Sequence, residues 1–154
     1  MLLYLVQHAE AKREEEDPAR GLTDKGWKDI RRVAGYAGNL GFKIITIYHS
    51  GKTRAVQTAQ VLADKLKPEK GVSATNGLAP MDDPEIWATR ISGLKEDIML
   101  VGHMPHLARL ASFLLCGDKE KEIVKFKMAG VVCLRRSDPG QWAVEWMIVP
   151  EIAG

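Results

Sequence analysis

Short apolar runs alternate with amphipathic helical stretches along most of this chain, and that alternation leaves few folds open. Met1–Gln7 is almost continuously apolar, as expected for a strand buried on both faces. Ile44–Tyr48, rich in β-branched residues, and Asp97–Val101 are the other two clear strands. Glu10–Arg20, with the acidic cluster Glu14-Glu15-Glu16-Asp17 ahead of Pro18, reads as a solvated loop. Behind it Trp27, Ile30, Val33, Ala34, Ala37 and Leu40 recur on one helical face, with Thr23 as N-cap and Gly41 as stop. A second helix is predicted from Thr53 to Lys67, with Ala55, Ala59, Leu62 and Leu66 as its buried stripe and Pro68 ending it. A short strand at Gly71–Thr75, a turn-rich loop at Leu78–Pro84 and a short helix at Pro84–Ile91 follow. Pro105 is placed in the first turn of a further helix, whose apolar face is Leu107, Leu110, Ala111 and Leu114. Then the period becomes that of strands. Gly130–Arg135, a Ser137-Asp138-Pro139-Gly140 turn and Gln141–Val149 predict an antiparallel hairpin at a sheet edge. The order β-α-β-α-(β)-α-β-α-β-β predicts an α/β three-layer sandwich with a mostly parallel central sheet and an antiparallel C-terminal hairpin.

The length of 154 residues fits one domain spanning 1–154, large enough to bury roughly 70% of its unfolded surface without disulfides or metal. A net charge of +2, with basic residues scattered rather than interleaved with aromatics, argues against a nucleic-acid partner. No run nears the 18 or so apolar residues of a membrane span, and the six-residue apolar start lacks the flanks of a signal peptide. A cytoplasmic protein is expected. Cys116 and Cys133 both lie in apolar stretches and read as reduced core or near-core thiols.

The chemistry gathers just past the strand ends. His8 follows the first strand, Arg54 lies beyond Ser50 after the second, and His103 ends the third. In an open α/β sheet the crevice beyond the strand carboxyl ends is where ligands bind. Two histidines and an arginine meeting there predict a phosphate site. A neutral imidazole at His8 can attack phosphorus and form a covalent phospho-enzyme. Arg54 offers a planar fork for phosphate oxygens, in a helix first turn whose free N–H groups also favour an anion. A protonated His103 would add a positive donor.

Two other readings are weaker. Ser50-Gly51-Lys52-Thr53 resembles the end of a P-loop, but the glycine needed five residues before Gly51 is Thr46. A zinc site from His8, His49, His103 and His106 lacks standard ligand spacing, so no metal and no cofactor are expected.

Four segments in order resemble the histidine phosphatases of the phosphoglycerate-mutase-like superfamily, and the small SixA-type phosphohistidine phosphatases among them. They are Leu3-Tyr4-Leu5-Val6-Gln7-His8-Ala9-Glu10-Ala11, Asp17-Pro18-Ala19-Arg20-Gly21-Leu22-Thr23-Asp24-Lys25-Gly26, Ser50-Gly51-Lys52-Thr53-Arg54-Ala55-Val56-Gln57-Thr58-Ala59 and Val101-Gly102-His103-Met104-Pro105. The small size, without long insertions, favours the SixA type. The resemblance implies a phosphohydrolase with His8 as phospho-acceptor and with Arg54 and His103 holding the phosphoryl group. It implies a phosphohistidine-bearing protein, such as a phosphotransfer domain, as substrate, phosphate as product and a monomer as the working unit.

One departure stands out. The family's arginine directly before the nucleophile is Gln7 here. An amide donates hydrogen bonds but carries no charge, and losing one preorganised charged donor costs ~3 kcal/mol, roughly a hundredfold in rate. Arg20 is the candidate to supply the missing charge. The alternatives are a small-molecule phosphomonoesterase or a weakened, non-catalytic phosphate-binding module. Asp83, its neighbour Asp82, and Glu10 are candidate general acids, with helix capping and turn formation as the other reading of the aspartates.

Overall fold

A computed structural model describes all of residues 1–154. The elements are β1 (Leu2–Gln7), α1 (Asp24–Leu40), β2 (Thr46–His49), α2 (Thr53–Leu66), β3 (Val72–Ala74), α3 (Pro84–Ser92), β4 (Ile98–Gly102), α4 (His106–Cys116), β5 (Val131–Ser137) and β6 (Gln141–Ile148). They build one six-stranded sheet in the order β3-β2-β4-β1-β5-β6. The first four neighbours are parallel, and β5 and β6 are antiparallel to their partners. The expected α/β sandwich with a mostly parallel sheet and an antiparallel edge hairpin is therefore present.

Alternation along the buried strands feeds two cores. Tyr4 and Val6 of β1 pack with Met99 and Val101 of β4 under α1 and α2, against Ile30, Val33, Ala59 and Leu62. Leu3 and Leu5 pack with Ile98 and Leu100 under α3 and α4, against Trp87, Ile91, Leu107 and Leu110. The change of face follows from the topology. The chain steps outward from β1 to β2 to β3, then runs back to insert β4 between β2 and β1. A right-handed crossover that reverses direction puts its helix on the opposite face.

Local signals explain the helix ends. The Thr23 side chain accepts from the Gly26 N–H at the start of α1, and Gly41 closes it in the left-handed region at φ 69°. Asp83 caps α3 by accepting from the Glu85 N–H, and Pro84 takes the first helical position.

Four expectations need correction. Leu40 is half exposed rather than core, because Phe42 fills that edge by stacking on Tyr4. Ile44 and Ile45 precede β2 and pair with Asp97 and the Glu69–Lys70 turn instead of the regular ladder. Pro105 is the N-cap of α4, one residue before the helix begins. Cys116 is exposed at the end of α4, its thiol donating to the Ser112 carbonyl, whereas Cys133 is buried in the sheet. No helix is long and apolar enough to cross a membrane.

Candidate active site

The carboxyl ends of β1, β4 and β2 lie side by side, with β4 in the middle. Gln7 pairs with Gly102 and His49 with Val101. This register brings His8, His103 and Ser50 to one rim. The His8 N–H donates to the Gly102 carbonyl at 3.0 Å, which anchors the residue past the strand end. The His8 and His103 rings sit 5.1 Å apart between centroids.

The tautomer of His8 follows from its partner. Its Nδ1 lies 2.7 Å from the Ala9 carbonyl oxygen. A carbonyl only accepts, so Nδ1 carries the proton and Nε2 carries the lone pair. Burial holds the imidazole below its ordinary value against the Ala9 hydrogen bond, and the charges of Arg54 and Arg20 lower it further. His8 is thus a neutral base at pH 7.

Arg54 occupies the first turn of α2, where the helix N-terminus already carries partial positive charge. Its Nε is buried without a partner, and no carboxylate pairs with its guanidinium. Burial and the nearby Arg20 charge both depress its pKa. Arg20 is held in the left-handed region at φ 52° by a folded loop, not a loose one. Asp17 accepts from the Ala19 and Gly21 N–H groups, an Ala11–Leu22 bridge closes the loop, and Arg20 Nε donates to the Lys12 carbonyl at 3.1 Å. Arg20 too has no carboxylate partner. Two guanidinium groups without counterions therefore stand beside a neutral imidazole. Both are part-buried, and an anion placed between two such unpaired cations is electrostatically favoured.

His103 is almost fully buried, and its Nε2 lies 2.6 Å from Ser50 Oγ. Its pKa is pushed down to about 3, first by burial and then by His8, Arg54 and Lys52. It is therefore neutral at pH 7, and the positive donor that a protonated His103 would add is not present at that pH. Gln7 ends β1 half-buried, beside Gly102.

The candidate acids are placed differently. Asp83 Oδ1 accepts the α3 cap hydrogen bond and lies 3.5 Å from Lys119. Asp82 accepts from the Ala79 N–H and orders its turn. The Glu10 carboxylate accepts from the Thr23 hydroxyl at 2.7 Å. His8, His49, His103 and His106 do not converge with metal-ligating geometry.

Two supporting residues were not singled out in the sequence. Thr58 Oγ1 accepts from the Ala9 N–H and donates to the Arg54 carbonyl, tying His8's loop to Arg54's helix. Gln57 accepts from the Leu22 N–H and ties the end of the Arg20 loop to the same helix. Their place in the segment Arg54-Ala55-Val56-Gln57-Thr58-Ala59 is the only hint, since i and i+4 positions share a helix face.

Residues 3–82 match the model of the histidine phosphatase superfamily, branch 1. An uncharacterised protein of Picosynechococcus is 33% identical over 143 residues, covering 88% of this chain and 85% of its own. The chain belongs to the histidine phosphatase superfamily. Among solved structures, the protein histidine phosphatase SixA complexed with tungstate superposes with a TM-score of 0.84 at 20% identity, covering 97% of both chains. The mycobacterial glucosyl-3-phosphoglycerate phosphatase does so with a TM-score of 0.74 at 14% identity, covering 94% of this chain and 97% of that one. These two share the fold.

Proposed function

We propose that this chain is a phosphohydrolase acting through a covalent phosphohistidine on His8, with a phosphohistidine side chain of another protein as substrate. The observation that carries this reading is the pair of uncompensated guanidinium groups, Arg54 and Arg20, beside the Nε2 lone pair of a neutral His8. The His8 Nε2 lone pair attacks phosphorus, forming an N–P bond as the substrate's N–P bond breaks. The departing imidazole leaves with the pair of the broken bond and takes a proton from water. A second water then displaces His8, releasing inorganic phosphate. Arg54, Arg20, His103 and the Gln7 amide hold the equatorial oxygens, whose spread charge dominates the cost of the transfer.

Two observations support a phosphoramidate on a protein. Asp83 and Glu10 are engaged in hydrogen bonds of their own, and an imidazole leaves phosphorus with less need of an acid than an alcohol does. A groove of about 480 Å³ is also lined by Met104 and Pro105, the two residues that follow His103 in the chain. Its wall includes Met81, a side chain 77% exposed. Methionine adapts to irregular protein surfaces. SixA, the structural neighbour, is named a protein histidine phosphatase.

The same groove favours one rival, since its volume also suits a small metabolite, and a sugar-phosphate phosphatase shares the fold. Gln7 favours a second rival, a phosphate-binding module without turnover. The deciding experiment incubates the protein with a histidine-phosphorylated protein, and separately with sugar and glycerate phosphates. Expected are release of phosphate from the phosphoprotein and acid-labile label on His8, both absent in His8→Ala. Equal inertness of wild type and His8→Ala on every substrate overturns the enzyme reading. Faster turnover of the small phosphates overturns the protein substrate.

A further inference from the structure

Ser50 lies between β2 and α2, outside every role assigned above. Its Oγ is 2.6 Å from His103 Nε2 and accepts from the Lys52 N–H at 3.3 Å. The turn that presents it is tied by local hydrogen bonds. Gly51 sits at φ 87°, where other residues are strained, and its N–H donates to His49 Nδ1.

Two arrangements of the Ser50–His103 hydrogen bond are open in principle. In one, the serine hydroxyl donates to Nε2, and the proton of the neutral ring sits on Nδ1. In the other, Nε2 carries the proton and donates to Ser50 Oγ. His103 Nδ1 decides between them, because it is buried with no hydrogen-bond partner. An orphaned buried N–H is rarer and costlier than an orphaned acceptor. The second arrangement is therefore the stable one. It also leaves the Ser50 hydroxyl proton free, since Oγ takes the Lys52 N–H and the Nε2–H on its two lone pairs.

We propose that Ser50 is a positioning residue that holds His103 as the Nε2–H tautomer, with its donor facing the phosphoryl site. The inference rests on the reading that His103 donates to the transferred phosphoryl group. In the free enzyme Ser50 Oγ accepts the hydrogen bond of that N–H. When a phosphoryl oxygen arrives, Nε2–H turns from Oγ to the stronger, charged acceptor with no change of tautomer. The ring therefore needs no proton rearrangement during transfer, which is the benefit of preorganisation. Because burial keeps His103 neutral at pH 7, its tautomer rather than its charge determines whether it can donate.

The test combines nitrogen NMR of the ¹⁵N-histidine-labelled protein with kinetics. In the free wild type at pH 7, His103 is expected as a single Nε2–H form. In Ser50→Ala it is expected as a mixture, and kcat on the phosphohistidine protein falls about tenfold, the worth of one neutral hydrogen bond, with KM within about twofold. Ser50→Thr keeps the hydroxyl and restores both readouts, which separates positioning from a general loss of fold. A wild-type His103 in the Nδ1–H form overturns the proposal. So does a Ser50→Ala protein whose tautomer and kcat are unchanged. If the wild type turns over no phosphorylated substrate, the proposed activity fails on that result. The spectra of the free proteins then still decide whether Ser50 sets the tautomer.

Discussion

At Gln7, the last residue of β1, an uncharged amide stands beside Gly102 and directly before His8. In the proposed phosphate site the guanidinium pair of Arg54 and Arg20 supplies the positive charge, and Gln7 would contribute donors only. Gln7→Arg adds a charged, bidentate contact and is expected to raise kcat on the phosphohistidine protein by up to about a hundredfold. Steady-state kinetics of the two proteins side by side measures this, and a variant no faster than wild type shows that Arg20 already completes the charge. His106 offers a second test at the scale of one side chain. It is fully buried, neither ring nitrogen has a hydrogen-bond partner, and the Gly77 backbone and the charges of Asp82, Arg109 and Asp83 lie near enough to act on it without outweighing burial. Burial pushes its pKa down to about 4. A pKa lowered by folding means the unfolded chain binds the proton first. The stability from neutral His106 is present above about pH 6.5 and is lost as pH falls toward 4. His106→Leu removes this loss, on the order of 3 kcal/mol between pH 7 and pH 4, while changing stability at pH 7 far less. Urea titrations at the two pH values read it directly. Neither residue's surroundings were legible from sequence. His8, Arg54 and His103 stand out because each follows an apolar run, whereas a buried, unpartnered His106 looks like any histidine beginning a helix.

Among elements, the packing of α1 under the segment after β1 determines where His8 sits. Thr23 N–H donates to the Glu10 carbonyl, and Gly26 lies directly beneath that carbonyl. A Cβ at Gly26 would be built inside the van der Waals surface of Glu10 backbone atoms, which no side-chain rotation can relieve. Gly26→Ala is therefore expected to destabilise the protein by about 3 kcal/mol or more, although alanine is the better helix former. The midpoint of chemical denaturation measures the change, and an unaltered or raised midpoint contradicts the close approach. The caps of this helix were legible, because Thr23 and Gly41 act through neighbours in the chain. The role of Gly26 was not. It depends on a residue in another segment, and nothing within the helix distinguishes a glycine that admits a carbonyl from one that merely ends a turn. Leu40 shows the same limit, since periodicity placed it on the apolar face and Phe42 occupies the core edge instead. Thr58 binds Ala9 and Arg54 at once, a bridge that periodicity records only as a polar residue on a buried face.

For the whole molecule, the sheet order brings three chain-distant residues, His8, Ser50 and His103, together just past the ends of β1, β2 and the β4 that lies between them. The strand order is legible only in part. Alternation of strands and helices calls for a parallel sheet, but inserting β4 between β1 and β2 depends on which helix faces meet. That insertion couples the site to global stability. Arg54 and Arg20 repel each other, and in the proposed role a tetrahedral oxyanion between them would relieve that repulsion only in the folded state. Inorganic phosphate or tungstate is thus expected to stabilise the fold by mass action, by about 2.7 kcal/mol at a hundredfold excess over the dissociation constant. For a chain of this length that is a rise in Tm of roughly 8 °C. Arg54→Ala removes one half of the repelling pair along with the proposed anion ligand. It is expected to match or exceed the wild-type Tm without phosphate and to lose the phosphate-dependent rise. Chloride at equal ionic strength gives no such rise, because screening alone does not bridge two guanidinium groups. Thermal melts of both proteins across a phosphate series separate the outcomes, and an Arg54→Ala protein that keeps the full rise places the anion elsewhere than the rim of β1, β4 and β2.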